Sequence, residues 1–176
     1  MKRLLSLLFC LLVSSAGLAE TYINTTGSDD KTAISGFDTV SFFTAKKAVP
    51  GKSEFEFSHL GAKWLFSSAE NLKLFQENPE KYIPEWGGQC AWCVSENCLS
   101  YKKVDGSFEF LSGKLYLFSP GNNKKSGALD DFMYGRWPQS RRVADGEGNW
   151  SALKKKLEDG TLTQPNSSTY RKTRFD

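Results

Sequence analysis

Glu54-Phe55-Glu56-Phe57-Ser58, then Gly61, then Lys63-Trp64-Leu65-Phe66-Ser67-Ser68-Ala69-Glu70: the reading of this stretch decides the fold class. Phe55 and Phe57 alternate with Glu54, Glu56 and Ser58, the period of a half-buried strand. Gly61 interrupts the run, and Lys63 to Phe66 resumes extended character, so the spacing predicts a hairpin. Ser67-Ser68-Ala69-Glu70 then reads as a capping box, with a serine hydroxyl accepting from the first helical turn and Glu70 reaching back. Leu72, Leu74 and Phe75 supply an apolar face, and Asn78-Pro79 stops the helix. Glu80 to Ile83 adds one short turn. A hairpin feeding a helix places the chain in the α+β class, with a small antiparallel sheet or meander and a few short helices in a single domain.

Downstream, Leu99 to Val104, Ser107 to Leu111 and Lys114 to Ser119 read as strands separated by Asp105-Gly106 and Ser112-Gly113 turns. Pro120 to Gly127 is a polar loop, and Ala128, Leu129, Phe132 and Met133 have helical spacing. Asn149 is placed to cap a last helix in which Trp150, Leu153 and Leu157 share a face, with Gly160 as its stop. Upstream, Ile34, Phe37, Val40, Phe42 and Phe43 among Gly36, Asp38 and Thr39 suggest short strands and turns. The expected organisation is a targeting segment over 1–19, a mobile polar leader over 20–32, one domain over 33–158, and a flexible polar tail over 159–176.

The chemistry concentrates between Glu85 and Cys98. Trp86-Gly87-Gly88-Gln89 leads into Cys90-Ala91-Trp92-Cys93, and Cys98 follows, giving a C-x2-C-x4-C cluster behind a glycine turn. The fourth cysteine, Cys10, lies in the apolar run at the start of the chain. That run, Leu4 to Val13, follows Lys2-Arg3 and precedes the small residues Ser14 to Ala19, the pattern of a cleaved export signal. It is too short to span a bilayer, so no stable membrane insertion is expected after cleavage. An exported chain works where disulfides persist, in a periplasm or outside the cell.

Composition excludes some partners. Without Lys2 and Arg3 the chain carries 21 basic against 20 acidic side chains, which offers no electrostatic case for nucleic acid. Gly87-Gly88 lacks the lysine and Ser/Thr of a phosphate loop, so no nucleotide or organic cofactor is expected. One histidine leaves little room for a Ser-His-Asp triad, and no catalytic residue is assigned. The aromatic residues, Trp64, Trp86, Trp92, Trp137 and Trp150 among them, read as core or pocket wall.

Six ordered motifs carry a resemblance. They are Gly36-Phe37-Asp38-Thr39-Val40, Lys63-Trp64-Leu65-Phe66-Ser67-Ser68, Asn78-Pro79-Glu80-Lys81-Tyr82, Trp86-Gly87-Gly88-Gln89-Cys90-Ala91, Gly113-Lys114-Leu115-Tyr116-Leu117, and Ala144-Asp145 leading to Asn149-Trp150. Over about residues 33 to 157 the chain resembles the exported YHS-domain proteins, related to the heavy-metal-binding YHS and TRASH modules. The resemblance implies a small α+β domain and a tie to metals. In metal-binding relatives the helix start reads Phe-Cys-Ser-x-x-Cys; here Ser67 and Asn71 stand at the cysteine positions. Cys90 matches a cysteine common in the exported branch, Cys93 and Cys98 are additions, and Phe118 replaces the family's Asn after Leu117.

Three readings of the thiols remain open. Paired thiolates bind soft or borderline ions, so Cys90, Cys93 and Cys98 suit one copper or zinc ion, with His59 as a fourth candidate ligand. A disulfide within the cluster would instead staple a short loop of a noncatalytic envelope protein, worth about 2 kcal/mol. The third reading is thiol–disulfide exchange, for which the chain lacks the βαβ context of thioredoxin-like proteins.

Overall fold

The computed structural model describes residues 20–120 and 139–166. The segment over 1–19 expected to be an export signal, the helix expected near Ala128 to Met133 and the end of the expected tail lie outside these residues. Five helices and two two-stranded antiparallel sheets are described. In chain order they are α1 (Thr39–Thr44), β1 (Lys52–His59), β2 (Ala62–Phe66), α2 (Ala69–Glu77), α3 (Pro79–Tyr82), α4 (Ala91–Ser95), β3 (Phe108–Leu111), β4 (Lys114–Leu117) and α5 (Gln139–Glu158).

The expected hairpin forms. Phe57 faces Trp64 and His59 faces Ala62 across the β1–β2 pair. Leu60 and Gly61 both adopt positive φ, which gives the two-residue turn the twist that flanking strands require. Ser112 and Gly113 repeat that solution between β3 and β4. Helix α2 starts one residue later than a Ser67 cap would have it: Ser68 is the N-cap and accepts from the Asn71 amide.

Three expectations are corrected. The Ile34–Phe43 segment is not strand-like but forms a 3-10 turn and α1, because the Asp38 carboxylate caps the Val40 and Ser41 amides. Leu99 to Val104 forms bends rather than a strand, so no continuous meander exists. The leader is not mobile. Ile23 is fully buried, Asn24 donates through its backbone to Gly87 and through its side chain to Gly88, and Gln164 clamps the segment from Thr21 to Thr25. The Gln164 side chain donates to the Thr21 and Ile23 carbonyls and accepts from the Thr25 amide. The polar residues there serve main-chain pairing, and the described start of the tail, up to Asn166, is part of the same clamp.

Two hydrophobic cores result. The first gathers Ile34, Val40, Phe42, Trp64, Phe66 and Phe75 between the β1–β2 hairpin, α1 and α2. The second gathers Trp86, Ala91, Val94, Tyr116, Phe118 and Leu153 between α4 and α5. Strand β4 is the wall between them: Leu115 and Leu117 enter the first core, Tyr116 and then Phe118 the second. That follows from the two-residue period of a strand buried on both faces. Helix α5 packs its Gly146 against the Trp86 indole, where a Cβ would lie 2.2 Å from the ring. No described helix is long and apolar enough to cross a membrane.

Candidate functional site: a thiol helix beside a YHS segment

Helix α4 is only five residues long, and its two ends set the cysteine geometry. Cys90 is the N-cap, Cys93 the third helical residue, and Cys98 the second residue beyond the C-cap Glu96. At the C-terminus the Asn97 amide donates to Val94 and the Cys98 amide to Cys93, at 3.0 and 2.8 Å. Asn97 adopts φ 58°. This is the Schellman closure, with asparagine at the left-handed position. Such a closure brings the side chain of the sixth residue back onto the first of the motif, commonly as an apolar contact. Here the two residues so juxtaposed are Cys93 and Cys98, and the Cys93 thiol is coupled electrostatically to both Cys90 and Cys98.

The surroundings polarise this chain of sulfurs. Cys90 is 3% exposed and bridges in parallel register to Leu117 of β4. Its thiol is pulled down to about 6 chiefly by the hydrogen bond from Cys93, against burial, with help from the backbone amides of Ser119, Cys93 and Trp92. No regular side-chain cap bond closes the helix start, so the amides act as an electropositive lining around the sulfur. Cys93 is the donor, and both that bond and burial hold it protonated far above the ordinary thiol range. One proton is thus shared across the pair. In the reduced protein, thiolate absorbance should appear with a midpoint of about 6 and correspond to one sulfur per chain. Cys93→Ala should move that midpoint upward, because burial then acts unopposed by the bond. The sign for stability follows: Cys90 ionises more readily folded than unfolded, so its contribution is complete above the ordinary thiol pKa of about 8.5 and fades as pH falls through 6. An unmoved midpoint in Cys93→Ala would remove the thiol–thiol bond as the cause.

Helix α5 fixes α4 from behind. Asn149 does not begin its own helix, which starts ten residues earlier at Gln139. Its side chain donates to the Val94 and Ser95 carbonyls at 3.0 and 3.2 Å, satisfying the C-terminal end of α4. Arg142 pairs with Glu96 and lies over the Trp92 ring, 4.5 Å from its centroid. All three thiols line one open cavity of about 470 Å³, together with Trp92, Tyr101 and Ser119. A second cavity of about 380 Å³, walled by Gln89, Leu153 and Gln164, meets the first along Cys98 to Tyr101.

His59 is not among the side chains that meet at the thiols. It ends β1, stacks on Phe57 at 6.3 Å and meets Phe75 edge-on at 5.8 Å. It is absent from the walls of both cavities. The described cysteines are free thiols. Among the described residues, no three His, Cys, Asp or Glu side chains stand ready-made as a metal cage.

Ser67 and Asn71 meet at a buried carboxylate. The Asp38 carboxylate, fully buried, accepts from the Ser67 amide at 2.9 Å, the Ser67 hydroxyl at 2.6 Å and the Asn71 side chain at 2.6 Å. Its other oxygen caps α1. Ser67 and Asn71, 3.3 Å apart, therefore tie α2 to α1 through one carboxylate. The hairpin, α2, α3 and the turn at Trp86 complete the unit that surrounds this latch. Residues 40–86 match the YHS domain family.

No curated protein and no solved structure matches the chain. The YHS match ends at Trp86, before Cys90, and contains no cysteine. The YHS segment and the thiol helix are therefore separate features joined by the glycine turn, and what the YHS family does carries no information about the three thiols. Sequence reasoning missed Asn97, Asn149 and the Ser119 amide. Only Asn97 had a local signal, an asparagine just past a short helix.

Proposed function

We propose that the protein binds one soft metal ion, copper(I) in preference to zinc, through the thiolates of Cys90, Cys93 and Cys98 in an exported compartment. The observation that carries this reading is that all three thiols line the same cavity, with the closure of α4 folding Cys98 back toward Cys93. Three sulfurs on a cavity wall that, among the described residues, includes no histidine or carboxylate form a soft donor set, which suits a three-coordinate copper(I) ion better than a four-coordinate zinc ion. The Cys90 thiol is held below the ordinary thiol range, which lowers the proton cost of binding. The YHS segment adds a family association with metals but, with Asp38, Ser67 and Asn71 bonded to one another, contributes no thiolate.

The test is titration of the reduced mature protein with copper(I) under anaerobic conditions, read by native mass. One ion per chain is expected. The Cys90→Ser, Cys93→Ser double variant should weaken binding at least a hundredfold, and equal binding by that variant would refute the assignment.

A second reading has its own support. The low thiol of Cys90 paired with the held-up thiol of Cys93 is the asymmetry a dithiol uses for disulfide exchange. Protein isolated without reductant and weighed metal-free, two hydrogens light, would favour it over metal binding.

A further inference from the structure

The three thiols differ in exposure: Cys90 is buried, Cys93 half-buried and Cys98 exposed. Of the three, only Cys98 lines both cavities, of about 470 and 380 Å³, which are of the size that takes a small molecule. A molecule arriving from solvent therefore reaches the Cys98 sulfur first. The closure of α4 decides which thiol stands next. The Cys98 amide donates to the Cys93 carbonyl at 2.8 Å and the Asn97 amide to the Val94 carbonyl at 3.0 Å. Residues 93 and 98 are the two whose side chains such a closure sets against each other. Cys90 is held at the opposite end of α4, where it is the N-cap, 3% exposed and bridged to Leu117 of β4. Asn149 and Arg142 of α5 brace the helix itself, while Cys98 lies beyond it on the left-handed Asn97.

We propose that Cys98 is the entry point for a low-molecular-weight disulfide and that Cys93 resolves the product, so that the oxidised protein carries a Cys93–Cys98 bond with Cys90 still a thiol. In the first step the Cys98 sulfur bonds to one sulfur of the incoming disulfide as its S–S bond breaks. The departing small thiol takes up the proton that Cys98 gives up. In the second step the Cys93 sulfur bonds to the Cys98 sulfur, and the second small thiol leaves with the Cys93 proton. Two protein thiols are oxidised, one small disulfide is reduced to two thiols, and no metal takes part. The pair is not the C-x2-C pair of the motif, and it gives the disulfide-exchange reading, on which it rests, its entry atom and its resolving atom.

The experiment treats the reduced, metal-free protein with oxidised glutathione, alkylates the remaining thiols, cuts at glutamate without reductant and weighs the peptides. Glu96 stands between Cys93 and Cys98, so cleavage there parts Cys98 from the other two. A Cys93–Cys98 bond leaves the two peptides joined, with the alkyl group on Cys90, and this is the expected product. A Cys90–Cys93 bond leaves the Cys98 peptide separate. In Cys93→Ser the reaction should halt with one glutathione on the Cys98 peptide. In Cys98→Ser the loss of thiol from the α4 peptide should slow at least about tenfold, since exchange depends on access to the attacking sulfur. A Cys90–Cys93 bond as the main wild-type product, or a Cys98→Ser variant that reacts as fast as the wild type, would overturn the proposal. The wild-type peptide map decides alone if a variant does not fold. No reaction at any of the three wild-type thiols is a different result and would refute disulfide exchange itself, and the proposal with it.

Discussion

Asp38→Ala should cost about 3–5 kcal/mol of unfolding free energy, the range for removing one partner of a buried charged network. The carboxylate is fully buried and accepts from Val40, Ser41, Ser67 and Asn71. Alanine strips α1 of its cap, worth about 1 kcal/mol by itself. It also leaves the Ser67 hydroxyl and the Asn71 amide without the acceptor they share. Asp38→Asn should be milder, because one oxygen can still cap α1 while the new amide group opposes the donors of Ser67 and Asn71. Urea denaturation measures this. A shift in Asp38→Ala below 1 kcal/mol would show that the latch is ornamental to the fold.

Gly87→Ala comes next, at about 2–4 kcal/mol, from left-handed backbone strain plus overpacking. Gly87 has φ 63° and ψ 20°, and it follows Trp86, itself at φ 53°. A Cβ would sit 2.7 Å from the Tyr22 carbonyl oxygen and 2.9 Å from the Tyr22 ring. The carbonyl cannot withdraw cheaply, since the Asn24 amide close by is bonded to the Gly87 oxygen at 2.8 Å. The control is Gly148→Ala in α5, where the added methyl meets nothing within 4 Å. That change should stabilise by up to about 1 kcal/mol through helix propensity. Equal urea midpoints for the two variants would contradict the close approach of leader and glycine turn.

The parts of the fold legible in the sequence were those whose signals are local. Phe55 and Phe57 in alternation, Gly61 at the turn and Ser68 before α2 need only their neighbours to be read, and the structure places them as expected. Helix α1 was lost because Val40, Phe42 and Phe43 imitate a strand, although Asp38 ahead of Thr39 was a cap signal in plain view. The leader was lost because Asn24 and Gln164 act on partners more than sixty residues away, and no short-range pattern encodes that. Spacing drew attention to Cys90, Cys93 and Cys98, which line one cavity, whereas His59, a candidate as the sole histidine, lies apart from that cavity against Phe57 and Phe75. Asn149 was read as serving its own helix because the start of α5 carries no clear signal, whereas the structure spends it on α4.

The Schellman closure of α4 also sets what the chain can tolerate as it diverges. The four residues between Cys93 and Cys98 are constrained in number far more than in kind, since only position 97 must accept a left-handed backbone. Substitutions at 94 and 95 answer chiefly to packing, and one at 96 also to the ion pair with Arg142. A single-residue insertion or deletion there would turn the Cys98 sulfur away from Cys93 while leaving every cysteine in place. A homologue could therefore keep all three thiols and still lack the cluster, so loop length is the character to compare across relatives.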